Sequence, residues 1–290
     1  FAIKVPVFPF HTWLPLAHVE APTAISVLLA GILLKLGIYG ILRINYGLMP
    51  DGVYWFSGAL AVLGLINVIW GGLCALAQTD LKKLVAYSSV NHMGYSLIGM
   101  AAIVAAGEAN GMNLKAAQAG LGGAVFQMFN HGTISAMLFI LVGVIYDRAH
   151  HRDIDGSVGL AAQMPIYTGI TAVAFFAGLG LPGFSGFISE AMCFIGAFPV
   201  YKGIVIASTI GILLNAAYFL WAFQRIFFGE LNEKYTDLPE INRLELFTVV
   251  PLLVITIFFG IYPAPYLDII ASTMDVIIDH VVTLATFASM

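Results

Sequence analysis

The 290-residue sequence predicts an all-α fold, a polytopic transmembrane helix bundle with discontinuous helices and inverted repeats. Three observations predict it. Hydrophobic residues make up 60% of the chain and charged residues only 10%, whereas a soluble domain is roughly half apolar and a quarter charged. Apolar stretches of about 20 residues, enough to cross a bilayer as a helix, recur between short polar breaks. Two of these stretches carry proline and glycine at a depth where a plain span would run uninterrupted. Mean hydropathy, at +0.93, agrees.

In chain order the apolar lengths give one partial and seven complete membrane segments. The partial one runs from Phe1 to about His18. The chain opens inside an apolar run with no initiator Met, charged leader or cleavage site, so N-terminal helices are expected to be missing. The complete segments are expected near Thr23–Ile44, Tyr54–Ala77, Leu84–Ala105, Ala117–Tyr146, Ile166–Phe198, Ile204–Phe228 and Leu246–Ile261, with an amphipathic tail from Tyr266. As organisation this reads as a single, partial membrane domain over 1–290. Residues 1–44 end a first repeat with its broken helix, 54–228 form a second repeat broken near 178–186, and 246–290 hold the last helix and the tail.

The two interruptions have a chemical cause. Pro6, Pro9, Pro15 and Pro22 crowd the first segment, and each proline deletes a backbone donor and clashes with the preceding turn. Gly178-Leu-Gly-Leu-Pro-Gly-Phe-Ser-Gly186 does the same inside the Ile166–Phe198 segment. Paired broken helices in a transporter-like chain mark ion sites at the breaks of inverted repeats. The competing reading is that the glycines only allow close helix packing.

Loop charges set the orientation. Lys82, Lys83, Arg148, Arg152, Arg225, Lys234 and Arg243 fall on one side, and Arg43, Lys115 and Lys202 on the other. The first side is expected to face the cytoplasm or its organellar equivalent. Net charge is −4 with no basic run, which excludes nucleic acid as a partner. Cys74 and Cys193 lie far apart in apolar runs with no CxxC, so neither a disulfide nor a metal or iron-sulfur site is expected. No GxGxxG, Walker loop, HExxH or GxSxG elbow supplies catalysis within the chain.

Ionisable residues in the middle of spans carry the functional reading. Lys35 stands midway along its segment, where a lysine costs about 2.5–3.5 kcal/mol and therefore faces a cavity, a partner or water. Burial favours its neutral form and a nearby carboxylate its charged form, so it can exchange a proton as its surroundings change. The bland reading is a snorkelling or structurally paired lysine. Lys4 is in the same situation beside the first proline break. Glu190 is the carboxylate of the second broken segment, a proton site or a partner for a cation. His92 and His131 are the central titratable groups of two consecutive spans, and imidazole can take a proton on one nitrogen and release it from the other. Together these residues predict a polar line through the membrane, with Ser88, Ser89, Gln127 and Ser135 about one turn from a histidine as holders of relay waters. His11 and His18, with Thr12, Trp13 and Glu20, are expected to fix the first broken turn near an interface. The charged loop around His150 and His151 is expected to be a solvated connection.

Phe-Ala-Ile-Lys-Val-Pro at 1–6, His-Thr-Trp-Leu-Pro at 11–15, Ala-His-Val-Glu-Ala-Pro-Thr at 17–23, Ala-Gly-Ile-Leu-Leu-Lys at 30–35, Ala-Tyr-Ser-Ser-Val-Asn-His-Met-Gly at 86–94 and Asn-His-Gly at 130–132 carry a resemblance. In that order they resemble the Mrp-antiporter-like membrane subunits of respiratory complex I, and the match covers essentially the whole chain, as the C-terminal part of a fourteen-helix protein. The resemblance implies an antiporter-like bundle with a proton path through Lys4, Lys35, His92, His131 and Glu190. An acid at position 190 is the pattern of one branch of that family, whose siblings usually carry lysine there.

It further implies that the chain works as a subunit of an NADH:quinone oxidoreductase, coupling quinone reduction in a remote arm to proton movement from Lys35 through His92 and His131 to Glu190. NADH, FMN, iron-sulfur clusters and quinone would belong to partner subunits, with no cofactor in this chain. Its expected partners are neighbouring antiporter-like membrane subunits, lipid and protons. The expected location is a multi-pass position in a membrane, the bacterial plasma membrane ahead of an organellar inner membrane. The alternative is a subunit of an Mrp-type sodium/proton antiporter or of a membrane-bound hydrogenase. The family's glutamate partner of the lysine matched by Lys4 would precede Phe1, and a chain lacking it is not expected to pump alone.

Overall fold

The computed structural model describes residues 1–107, 111–156 and 159–288. Ten helices organise it: α1 Trp13–Glu20, α2 Thr23–Leu48, α3 Pro50–Leu76, α4 Leu81–Ala101, α5 Gly111–Ala149, α6 Pro165–Gly178, α7 Ser185–Ala197, α8 Lys202–Phe227, α9 Arg243–Ile261 and α10 Ala264–Ala288. Among the described residues six helical segments are long and apolar enough to cross a membrane, namely α2, α3, α4 with its continuation to Gly107, α5, α8 and α9. The half-helices α6 and α7 together make a seventh crossing, interrupted as the glycine-proline run predicts. At 39 residues α5 is longer than expected, about 58 Å at 1.5 Å per residue, so it reaches beyond the hydrocarbon.

Local chemistry explains where the helices begin. The Asp80 carboxylate accepts from the backbone N–H groups of Lys82 (2.7 Å) and Lys83 (3.1 Å) and so caps α4. Asn242 and Glu245 form a reciprocal capping box at the start of α9. Pro50 and Pro165 occupy first-turn positions of α3 and α6, where a missing N–H costs nothing. The start of α6 is also covered by the Glu240 carboxylate, which accepts from Ile166 N (2.9 Å) and Tyr167 N (3.1 Å).

Irregular backbone at membrane depth must find partners within the protein. At the first break the fully buried Asn67 of α3 supplies both kinds, accepting from Phe8 N (2.8 Å) and donating to Pro6 O (3.2 Å). Trp13 Nε1 donates to Ile3 O at 2.9 Å. At the second break Gly180 and Gly183 take φ of 78° and 101°, a left-handed region that favours glycine. Gly180 is needed for space as well, since a Cβ there would lie 3.1 Å from Glu190 Oε2.

The basic residues assigned to one side do gather at one end of the bundle. Arg152 pairs with Asp80 at 3.2 Å, Arg148 with Glu245 at 2.8 Å and Arg225 with Asp155 at 2.5 Å. Arg148 also donates to the carbonyls of Val144, Pro239 and Glu240, and His151 contacts the Tyr235 hydroxyl. The loop around His150 is therefore braced by these contacts rather than simply solvated. Burial and then the nearby Asp153 carboxylate hold the Tyr235 hydroxyl above its usual range.

Two large apolar clusters fill the interior. One gathers Leu84, Phe139, Val142, Tyr167, Phe175 and Phe219, and the other Leu34, Ile38, Val90, Leu97, Leu121 and Cys193. Along α2, α4 and α5 the chain passes from one cluster to the other between Ala30 and Leu34, Ala86 and Val90, and Ala124 and Ile134, so Lys35, His92 and His131 sit close to where the two apolar halves meet.

Candidate functional site

Four of the five residues singled out from sequence come together as one buried row. Lys35, His92, His131 and Glu190 are each exposed by 9% or less. Lys35 Nζ donates to His131 Nδ1 at 2.6 Å and also reaches the Ala30 carbonyl. That carbonyl is available because residues Leu29–Leu33 form a π-turn, and such widened turns recur where helices carry function. The rings of His131 and His92 lie 5.6 Å apart, centroid to centroid. At the far end His92 Nδ1 donates to Glu190 Oε1 at 2.9 Å.

Each position follows from its helix. The central helix α4 is almost wholly buried, so His92 has protein on all sides. α5 passes between α2 and α7 and carries His131 toward Lys35 and Gln127 toward Glu190. Gly132 lets α2 and α5 approach, because an added Cβ would meet Gly31 O at 2.9 Å. Glu190 lies in the second turn of α7, just beyond the break.

A second layer orders Glu190. Gln127 Nε2 donates to its Oε1 at 3.4 Å, Ser189 Oγ donates to Gln127 Oε1 at 2.5 Å, and Asn130 Nδ2 donates to Ser189 Oγ at 3.0 Å and Ser185 O at 2.9 Å. His131 Nε2, Asn130 Oδ1 and Ser185 Oγ are buried without a partner among the described residues. A groove of about 490 Å³ between α2, α5, α9 and α10 touches the row at Lys35, with Gly31, Phe129, Gly132 and Tyr266 among its other walls.

Other expectations are modified. Lys4 is exposed and makes no hydrogen bond or ion pair among the described residues. The broken turn points it outward past Gly37, where a Cβ would come within 3.0 Å of Lys4 Cβ. Ser88, Ser89 and Ser135 bond carbonyls of their own helices rather than a histidine ring. His18, expected near an interface, is fully buried and stacks on Phe139 at 4.3 Å. Lys82 is buried too and donates to Ala21 O at 2.6 Å, tying α4 to the end of the first broken segment. Sequence reasoning missed the fully buried, hydrogen-bonded group Tyr95, Asn215 and Tyr218, in which the Tyr95 ring lies 6.1 Å from that of His92. Their only signal was one amide and two hydroxyls in long apolar runs.

Comparison with known proteins follows the same lines. The family model for the transmembrane region of NADH:quinone oxidoreductases and Mrp antiporters matches residues 1–215, which include the whole row. The chain belongs to this family. It is 42% identical over 275 residues to NADH-quinone oxidoreductase subunit M of Rhodobacter capsulatus, covering 94% of this chain and 51% of that protein. It is 40% identical over 269 residues to NADH-ubiquinone oxidoreductase chain 4 of Chondrus crispus, covering 92% and 52%. The chain thus spans about half the length of the curated relatives it matches.

Among solved structures, respiratory complex I from Thermus thermophilus with bound NADH has a chain of similar fold, with TM-score 0.85, 26% identity and coverage of 98% of this chain and 56% of that one. The Mrp complex from Dietzia sp. has one at TM-score 0.83 and 22% identity, covering 98% and 59%, which shows the shared fold. A multi-pass membrane fold common to both complexes is therefore established for this family member.

Proposed function

We propose that this chain is part of the proton-translocating membrane subunit M (chain 4) of an NADH:quinone oxidoreductase. The observation that carries this reading is the buried row from Lys35, bonded to His131, across the 5.6 Å between the His131 and His92 rings, to Glu190, bonded to His92. Subunit M and chain 4 relatives favour it over an Mrp antiporter or a hydrogenase-type complex. The acid at 190, where sibling branches usually carry lysine, is consistent with that choice.

In this reading Lys35 delivers a proton to His131 Nδ1. The imidazole releases one from Nε2 toward His92, and His92 passes its Nδ1 proton to Glu190. Each histidine acts by changing which nitrogen holds the proton, so no side chain has to cross the membrane. Moving one charge against 100 mV takes about 2.3 kcal/mol, within what making or breaking a buried ion pair supplies. Lys4 would serve the first repeat, 1–44, and the row the second, 54–228, with 246–290 as the closing helix and tail. Electron carriers, NADH and quinone would lie in partner subunits, and neighbouring antiporter-like subunits would flank this one. The bacterial plasma membrane is the proposed location, with the Arg148 and Arg152 end toward the cytoplasm.

The test is electron-transfer-driven proton uptake in vesicles carrying the full-length subunit with Lys35→Met, with artificial-acceptor reduction as the assembly control. An assembled complex with lost uptake and slowed quinone reduction supports the reading. Normal uptake makes Lys35 structural and defeats the mechanism.

A further inference from the structure

The two oxygens of Glu190 have different surroundings. Oε1 accepts from His92 Nδ1 at 2.9 Å and from Gln127 Nε2 at 3.4 Å. Oε2 accepts from no group among the described residues and lies against the second break, where a Cβ added at Gly180 would stand 3.1 Å from it and 3.8 Å from Cδ. Gly180 is buried, whereas the next three residues, Leu181, Pro182 and Gly183, are exposed. The break thus passes from the wall of the carboxylate site to the outer surface of the bundle in one step of the chain. No side chain caps the first turn of α7, which begins there, and N–H groups left open in this way at membrane depth call for water or a partner. The Glu190 side chain itself keeps 6% of its surface accessible.

The space over Gly180 matters because a carboxyl group turns easily about its last bond, a broad and roughly two-fold torsion. A proton received on the His92 side can be carried to the break side by a half-turn, with the rest of the side chain unmoved. There the O–H needs an acceptor about 2.5–3.0 Å away. The hydrogen atom of Gly180 leaves that direction open, while a methyl group would press on the oxygen from inside the ordinary contact distance of about 3.5 Å. Backbone conformation alone does not separate the two glycines of the break. Gly180 and Gly183 have φ of 78° and 101°, and both therefore favour glycine. Only Gly180 has the carboxylate over it, since a Cβ at Gly183 would meet nothing within 4 Å.

We propose that Gly180 is a positioning residue for Glu190, the open side of a carboxyl rotor that takes its proton on the His92 side and gives it up to water at the second break. This rests on the proton-relay reading of Glu190. The His92 Nδ1–H bond breaks as an O–H bond forms on Oε1, and His92 keeps the proton it received on Nε2. Gln127 Nε2 is a donor and cannot take the acid's proton, so His92 alone can draw it back. The half-turn carries the O–H over Gly180, where the bond breaks and a water molecule accepts the proton. The carboxylate that remains presents a bare oxygen to His92 once more. The two oxygens exchange places at each turnover, so the site ends as it began without a helix having moved.

The experiment uses the assembled complex with the full-length subunit in vesicles. Proton translocation per electron is measured for Gly180→Ala and for Gly183→Ala, which pays the same kind of backbone strain in open space. The infrared carbonyl band of protonated Glu190, assigned as the band that Glu190→Gln removes, is followed in the same samples. Gly180→Ala is expected to lower translocation by about tenfold and to move the band, with Gly183→Ala within about twofold of the parent and its band unmoved. Equal losses in the two variants, or an unmoved band in Gly180→Ala, overturn the inference. Should Gly180→Ala fail to assemble, His131→Phe decides the matter. It cuts the supply from Lys35, so deuterium from heavy water reaches Glu190 only across the break, and the band is expected to shift as fast as in the parent. Loss of that shift overturns the inference. If Glu190→Gln abolishes translocation while Gly180→Ala retains it, only the rotor falls. If Glu190→Gln translocates normally, the relay reading falls first and this inference with it.

Discussion

Lys35 Nζ and His131 Nδ1 lie 2.6 Å apart although 96 positions separate them in the chain. That contact joins α2 to the long helix α5, and in the proposed relay it is the point where a proton passes from one to the other. A lysine in hydrocarbon is costly; here the cost is offset by an imidazole and by a carbonyl released by the π-turn.

The contact predicts strong coupling between the two residues. In the full-length subunit, Lys35→Met and His131→Phe each lower driven proton uptake by about tenfold or more. The double variant falls no further than the worse single, because both act on one transfer. Independent, multiplying losses would mean that the two do not share a step.

Glu190 is held by His92 at 2.9 Å and by Gln127 at 3.4 Å. Glu190→Gln preserves shape while removing the charge, and uptake is expected to drop about ten- to hundredfold in an assembled complex. Glu190→Asp keeps the charge but withdraws it from His92, so an intermediate rate is expected. Equal rates for Asp and Gln variants would show that carboxylate position is immaterial.

The second break is seated on α9 through Gly260. A Cβ at Gly260 would lie 2.2 Å from Gly183 O and 2.4 Å from Phe184 Cα, both backbone atoms. Gly260→Ala is therefore expected to destabilise by about 1–3 kcal/mol and to lower the thermal unfolding midpoint in detergent. Gly203→Ala, with nothing within 4 Å of its Cβ, is the matched control and should be neutral or slightly stabilising.

Glu240 covers two unpaired backbone donors at the start of α6. Glu240→Ala should cost about 0.5–2 kcal/mol, as loss of a helix cap does. Hydrogen exchange is expected to quicken at Ile166 and Tyr167 while the amides of α4 keep their protection. Unchanged exchange at those two positions would assign the cap to another group.

The reach of the sequence differed by residue. Lys35, His92, His131 and Glu190 were legible because a charge or an imidazole in an apolar run has to be accommodated by something. Both breaks were legible because proline and glycine act locally. The π-turns Leu29–Leu33 and Ile41–Asn45 left no trace in composition, since they arise from packing of α2 on its neighbours. Asn215, Tyr95 and Tyr218 escaped notice because single amides and hydroxyls are ordinary in spans, and only a shared location makes them a group. The serines near the histidines donate to the carbonyl about one turn back, as a helical serine readily does, which their spacing from the histidines did not foretell.

The π-turn at Leu29–Leu33 makes the placement of Lys35 a matter of arithmetic as well as chemistry. A π-turn holds one residue more than the same turn of α-helix. Deleting a single leucine there would remove the extra residue, restore regular winding and leave the helix beyond it facing as before. The ammonium would keep His131 but lose the Ala30 carbonyl, which regular winding would return to a backbone donor. Loss of one apolar residue upstream would thus strip Lys35 of one of its two partners with every functional side chain still present, a sensitivity to indels that substitution scans would not reveal.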